Sequence, residues 1–283
     1  MKRFLKHIFI ILGLFISLMV LLDKAYSYTF KNGIPRSKIQ KILQEKDKHY
    51  DVAFFGSSRA ENHIDCQLIE QLTGKTCVNF GISGGTPKDV LMLVQIAENN
   101  GITYNQAFLQ VDSSYNKENM SPNFKARISP FNEVINLEDE SNISLPFINY
   151  LIYDRVVGFR EFWSIALKRK PKSNIDYGFN PKYNTGLEVP SQLPSKINDS
   201  NYSIEKLSQF WKKINVKQAY FTAPYCAKIE NRNVLNVFKN RFSEYKEYAT
   251  VFDDNLLYFS DCGHLNFDGA QVFTKLIVTD FNL

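Results

Sequence analysis

Residues 51–59 read Asp-Val-Ala-Phe-Phe-Gly-Ser-Ser-Arg. The apolar run Asp51–Gly56, closed by glycine, reads as a short buried strand. A helical period follows it at once. Over Ala60–Leu72, Ile64, Leu68, Ile69 and Leu72 fall on one face, and the period closes at Gly74. The same alternation continues outward. Thr76–Ile82 (TCVNFGI) is a second strand, and Pro87–Asn99 a helix with Thr86 as N-cap and proline in its first turn. Gln106–Asp112 (QAFLQVD) is a third strand. It resumes later with a helix at Ile204–Ile214, a strand at Gln218–Pro224, a helix at Val234–Tyr248, a strand at Ala249–Asp253 and a last helix from about Asp268 to Val278.

Strands alternating with helices of this length imply right-handed βαβ units and a parallel sheet between helix layers. The expected fold class is therefore α/β, a three-layer αβα sandwich on a five-stranded parallel sheet. Residues 113–200 lack the alternation and form a large insertion after the third strand, at the carboxyl edge where α/β folds place their sites. The insertion contains one amphipathic helix, roughly Leu145–Lys168, rich in aromatics, followed by a segment rich in Pro, Asn and Ser. It reads equally as a lid or substrate platform and as a packing decoration.

Met1–His7 is basic, and Ile8–Leu22 is an apolar run that carries no charge. As a helix that run is about 22 Å long, and with Phe4 and Leu5 added, and Lys6 and His7 snorkelling, it is able to span a bilayer. The basic residues ahead of it place the amino end in the cytoplasm and the bulk of the chain outside. Residues 1–27 thus read as a membrane anchor, with a cleaved signal peptide ending near Ala25 and Ser27 as the alternative. Residues 28–50 read as a polar stem carrying a helical stretch with Ile39, Ile42 and Leu43 on one face, and 51–283 as the folded domain. Of the formal net charge of +5, the first 24 residues hold +3. The remainder is too nearly balanced for a nucleic-acid footprint. The hydrophobic fraction of 44% and charged fraction of 22% exclude a disordered chain. Four cysteines, Cys66, Cys77, Cys226 and Cys262, permit two bridges in an oxidising compartment and equally permit buried thiols. Cys66 and Cys77 would close a short loop. No cysteine or histidine spacing suggests a zinc site, and no metal or organic cofactor is expected.

Three strand ends carry chemistry. Gly56-Ser57-Ser58-Arg59 projects a serine at a strand-to-helix turn, where backbone N–H groups face developing negative charge. Asn79-Phe80-Gly81-Ile82-Ser83-Gly84-Gly85 lets backbone approach a ligand closely, and fits neither the dinucleotide fingerprint nor the P-loop. Asp261-Cys262-Gly263-His264 spaces a carboxylate and an imidazole so that one ring nitrogen is held and the other faces outward, as a general base requires. Each alone is readable as a cap, a turn or chance. Together they fall on one rim of one sheet.

On these residues the chain resembles the SGNH (GDSL-like) hydrolase superfamily, over about half its length, and within it the membrane-anchored envelope relatives associated with acylation of teichoic acid and alginate. Gly56-Ser57-Ser58 resembles the first block, with Ser58 at the nucleophile position. Asn79-Phe80-Gly81 resembles the second, and Asp261 to Asn266 the last. The resemblance implies a flavodoxin-like, SGNH-type sheet and a Ser58, His264, Asp261 triad. It implies an oxyanion hole from the N–H groups of Ser58 and Gly81, with Ser114 or Asn116 standing in for the asparagine of the family's third block. In that place this chain has Val111-Asp112-Ser113-Ser114-Tyr115-Asn116. The implied function is an extracytoplasmic serine esterase or O-acyltransferase acting on acyl, chiefly acetyl, esters of cell-envelope carbohydrate. Trp163, Phe159, Tyr177 and Phe179 are candidates to stack on sugar rings. The alternative is a non-catalytic scaffold or binding protein of polysaccharide assembly, with envelope proteins as partners. A phosphate- or nucleotide-binding role would leave the Asp-His pair unexplained.

Overall fold

A computed structural model of the chain describes residues 2–128, 162–169, 175–186 and 192–283. Backbone contacts divide the chain into two compact units, residues 1–44 with 122–170 and residues 45–121 with 171–283. The expected insertion 113–200 is therefore not one block. Its two ends belong to the sheet-bearing unit and its middle to the amino-terminal unit. Most of the expected helix Leu145–Lys168, with Phe159, lies outside the described residues; residues 162–166 are helical.

The larger unit is built on β1 (His49–Phe55), β2 (Cys77–Asn79), β3 (Thr103–Gln110), β4 (Lys217–Thr222) and β5 (Tyr245–Glu247). All four pairings are parallel and the order is β2-β1-β3-β4-β5. Ala53, Phe54 and Phe55 are fully buried, as a strand covered on both faces requires. Register sets Phe54 beside Phe108, and their rings stack at 4.7 Å. The helices of this unit are α3 (Ser58–Glu61), α4 (Cys66–Thr73), α5 (Pro87–Asn99), α7 (Tyr202–Lys213), α8 (Phe238–Arg241) and α9 (Phe267–Phe281). α5 packs on α7, and α4 on α9. Thr86 and Asp89 form a reciprocal capping box on α5, satisfying two backbone N–H groups at its start. The buried Trp211 of α7 donates through Nε1 to the Tyr104 hydroxyl at 2.7 Å, so its one polar atom is not orphaned.

Three expectations need correction. The helix read over Ala60–Leu72 is two helices, because Asp65 caps a new one, accepting from the Gln67 and Leu68 N–H groups. The helix read over Val234–Tyr248 is a 3-10 turn (Arg232–Val237), the short α8, and then β5. The strand read at Ala249–Asp253 is a turn, with Val251 exposed. An edge strand pairs on one side only, so β5 needs no continuous apolar run to form.

The smaller unit contains α1 (Lys2–Asn32), α2 (Lys38–Gln44) and α6 (Pro122–Ile128). α1 is long and apolar enough to cross a membrane, with a mean hydropathy of 2.5 over its best window. An anchor and a signal sequence both meet that criterion. Past the apolar stretch, Tyr26 stacks on Phe162 at 4.3 Å, and the Gln40 side chain donates to the Phe30 carbonyl.

Both cysteine pairs are disulfides, Cys66–Cys77 and Cys226–Cys262. The first closes the α4–β2 loop, and the second ties the segment after β4 to the turn of a small antiparallel hairpin, β6 (Phe259–Asp261) and β7 (His264–Leu265).

Candidate active site

Gly56 ends β1 with φ +149, a backbone state closed to most side chains, and a Cβ there would lie 2.7 Å from the Cβ of Gln110. The chain therefore turns sharply, and Ser57 caps α3, its hydroxyl accepting from the Arg59 N–H. Gln110, the last residue of β3, holds this turn by accepting from both the N–H (3.1 Å) and the hydroxyl (2.8 Å) of Ser57. Ser58 is then the first helical residue, half-buried, with its N–H making no hydrogen bond among the described residues.

His264 comes from β7, at the other end of the sequence. Its Nε2 lies 2.8 Å from Ser58 Oγ, and its Nδ1 lies 2.8 and 3.0 Å from the two oxygens of Asp261. The expected nucleophile, base and carboxylate are brought together. Asp261 is held further by the Gly263 N–H at 2.9 Å and by Lys182 Nζ at 2.9 Å. Partial burial pushes the Asp261 carboxyl up. The hydrogen bonds from His264 and Lys182, the nearby imidazole charge and the Gly263 N–H outweigh it and hold the group well below the usual carboxylate range. Asp261 is thus an ionised acceptor that fixes the imidazole's orientation.

The expected oxyanion donors fare differently. The Gly81 N–H donates to Asn79 Oδ1 at 2.9 Å, and a Cβ on Gly81 would lie 2.4 Å from the Glu61 nitrogen. Glycine is there for close packing against α3, and its N–H is committed. The Ser114 N–H donates to Asp112 Oδ1 at 2.7 Å, leaving only its half-buried hydroxyl without a hydrogen bond among the described residues. Asn116 is committed at both ends of its amide, to the Lys196 carbonyl and the Asn198 N–H. Only the Ser58 N–H survives of the expected backbone donors. Beside it, the turn from Ile82 to Gly85 is anchored by the Ile82 N–H on the Gly56 carbonyl, and its exposed Ser83 and Gly84 N–H groups have no acceptor among the described residues.

Two further side chains hold the site together and carry no signal in the sequence. Arg59, next to Ser58, is buried. Its guanidinium donates to the carbonyls of Gly263 (2.8 Å), Pro224 (2.9 Å) and Ala223, stacks 3.3 Å over the Tyr225 ring, and forms an ion pair with Asp112 at 3.5 Å. It thereby ties the start of α3 to the end of β4 and to the loop between Asp261 and His264. His63 is fully buried, and its Nε2 accepts the Leu265 N–H at 3.0 Å, fixing the backbone next to His264. In the sequence it falls inside the stretch read as one helical period, Ala60–Leu72, where a single histidine carries no signal for this role.

Burial drives the His63 pKa well below the ordinary value, and the positive groups Arg59, His264 and Lys182 add to that against an opposing effect of Asp261. The folded state thus keeps His63 neutral while the unfolded chain takes up a proton below about pH 6.5. Stability contributed here is intact above that pH and falls as pH drops, by about 1.4 kcal/mol per pH unit. Thermal melts between pH 7.5 and 5 should show this slope, and His63→Gln should flatten it; an identical slope in the variant would refute the assignment.

The Cys226–Cys262 bridge sits inside this construction, since Cys262 lies between Asp261 and Gly263 and its carbonyl accepts the Cys226 N–H. Closing its 36-residue loop is worth about 4 kcal/mol on chain-entropy grounds. Urea unfolding of a Cys226→Ser/Cys262→Ser double variant should show a loss of about 2–4 kcal/mol.

Of the expected sugar-stacking aromatics in the larger unit, Phe179 is buried and the Tyr177 hydroxyl is engaged with Glu70; Trp163 belongs to the smaller unit, and Phe159 lies outside the described residues. Among the described residues no cluster of His, Cys, Asp and Glu is able to hold a metal ion.

Fold and site together define an α/β protein with a hydrogen-bonded Ser-His-Asp arrangement at the carboxyl edge of a parallel sheet. No family model and no curated protein matches the chain. A solved structure from Streptococcus pneumonia, provisionally described as a platelet activating factor, is 12% identical, aligning over 97% of this chain and 99% of its own with a TM-score of 0.34. At that level the likeness bears on neither the fold nor the activity of this chain.

Proposed function

We propose that the protein is a serine esterase or O-acyltransferase of the SGNH type, built as a three-layer αβα sandwich. It is held outside the cytoplasm by α1, where it acts on acyl esters of cell-envelope carbohydrate. The observation that carries this reading is the unbroken chain from Ser58 Oγ through both nitrogens of His264 to Asp261, each link at 2.8 Å. The extracytoplasmic setting is supported by basic residues in the first turns of α1, ahead of its apolar stretch, and by two disulfides.

In the reaction, Ser58 Oγ attacks the ester carbonyl carbon as its proton passes to His264 Nε2. Asp261 stabilises the resulting imidazolium. The oxyanion is bound by the Ser58 N–H, which makes no other hydrogen bond among the described residues. Collapse of the tetrahedral intermediate breaks the ester C–O bond, and the leaving alkoxide takes the proton back from His264. The acyl-serine is then attacked by water (hydrolysis) or by a sugar hydroxyl (transfer), His264 accepting the attacking proton and returning it to Ser58. The same residues serve both outcomes.

A second reading, a binding scaffold of envelope assembly, is favoured by the commitments of Gly81 and Asn116, because a lost oxyanion donor costs about 10²–10³ in rate. A fluorophosphonate probe separates the two. The enzyme reading expects a covalent adduct mapped by mass spectrometry to Ser58. A folded protein that takes up no probe supports the scaffold.

A further inference from the structure

We infer that the cleft bounded by residues 181–186, Ser260 and Asp261 is a saccharide subsite whose floor is the ring of Tyr183. This rests on the esterase reading above and assigns the part of its substrate that lies beside the reacting ester. The cleft shares Asp261 with the triad, one hydrogen bond from His264 and two from Ser58. A ligand bound there lies at the carboxylate end of the triad, with the imidazole ring between it and Ser58.

Tyr183 is 75% exposed in a unit whose aromatic side chains are mostly buried. One side of its ring is backed by Phe267, stacked at 5.7 Å and 23°, and Phe267 is backed in turn by the buried Phe179 at 6.5 Å. The result is a supported aromatic plate presented to solvent, the arrangement that binds the apolar face of a ring while its edges stay wet. The strip that carries it is pinned to the triad hairpin and to α9. The Phe267 N–H donates to the Lys182 carbonyl at 2.7 Å, the Gly186 N–H to the Ser260 carbonyl at 3.0 Å, and Lys182 Nζ reaches Asp261. The geometry of the plate relative to the triad is therefore set by hydrogen bonds at both ends of the strip.

The walls select the ligand class. The side chains of Asn184 and Thr185 are exposed and make no hydrogen bond among the described residues, so they offer donors and acceptors to hydroxyl groups. An acyl chain or lipid would need apolar walls, which Asn184, Thr185, Ser260 and Asp261 do not provide. A phosphate would have to approach the ionised carboxylate of Asp261, whose charge the single ion pair with Lys182 already offsets. A hydroxyl-rich ring with one apolar face fits both floor and walls.

The test uses the detergent-solubilised full chain and two esters, ethyl acetate, which has neither a sugar nor an aromatic ring, and randomly O-acetylated cellobiose, in which one ring is able to carry the reacting acetyl while the other lies on Tyr183. Tyr183→Ala should lower kcat/KM for the disaccharide about tenfold, chiefly through KM, as loss of one stacking contact predicts. It should leave ethyl acetate hydrolysis unchanged, and Tyr183→Phe should restore the disaccharide rate. Because the ring is exposed, the melting curve should not move. No loss on the disaccharide, or an equal loss on both esters, overturns the subsite. A wild type that cleaves neither ester counts against the esterase reading instead. In that case calorimetric binding of the acetylated cellobiose, lost in Tyr183→Ala, upholds the subsite, and absence of binding removes it.

Discussion

Ser58→Ala is expected to reduce ester turnover by about 10⁴-fold or more while leaving the fold intact. The hydroxyl is half-buried, is held by one hydrogen bond to His264 Nε2, and occupies the first position of α3. Alanine suits a helical position, and the cap of α3 belongs to Ser57, not to Ser58. His264 keeps its bond to Asp261, so the hairpin has no reason to move. The residual rate should resemble that of the His264→Ala variant, because nucleophile and base act as one unit and their losses do not add. Acetate release and thermal melts on both single variants and the double variant check this. Turnover retained in Ser58→Ala would remove Ser58 as the nucleophile whatever the geometry.

The second large effect is expected at Arg59. Arg59→Met keeps much of the stem's volume but removes the donors to three carbonyls and strips the positive partner from the buried Asp112. Breaking one side of a buried ion pair costs about 3–5 kcal/mol, and this should appear as a fall in the urea midpoint at constant slope. Gln110 and the Ser114 N–H still hold Asp112, so the lower part of that range is the expected value. Adding Asp112→Asn should recover part of the loss, since the uncompensated charge is then gone. Arg59→Lys should not rescue, because one ammonium lacks the planar fork that reaches Gly263, Ala223 and Pro224 together and stacks on Tyr225. Turnover should fall with stability in Arg59→Met, since the Gly263 carbonyl that Arg59 holds adjoins His264. A variant as stable as the parent would show that the guanidinium network contributes nothing net.

The residues 51–59 stretch, the strands at 76–82, 106–112 and 218–224, and the helix Pro87–Asn99 were legible because a buried strand and an amphipathic helix write their periodicity into adjacent residues. β5 was missed for the opposite reason. Tyr245-Lys246-Glu247 is a half-exposed edge with no apolar run, while the apolar Ala249–Asp253 beside it packs as a turn. The break inside Ala60–Leu72 was missed because Asp65 acts there as a cap, and a cap looks like any polar residue until its N–H partners are known. Among the site residues, Ser58, Asp261 and His264 stood out because each lies at a strand end in a local pattern. The hydrogen bonds already made by the Gly81 N–H and the Asn116 amide were not legible, because the sequence does not say where an N–H or amide finds its partner.

From the chain of amino acids alone came the parallel α/β class, the basic and apolar amino terminus, and the nomination of Ser58, Asp261 and His264. All three follow from short-range patterns of side-chain type. Tertiary structure alone decided that Ser58 and His264, 206 positions apart, share a hydrogen bond. It also decided that Arg59, His63 and Lys182 hold the hairpin behind them, that Tyr183 rather than Phe179 faces solvent, and that Gly81 serves packing. The physical reason is that hydrogen bonds and ion pairs are satisfied by whichever group folding brings within about 3 Å, and that choice is made between segments distant along the chain.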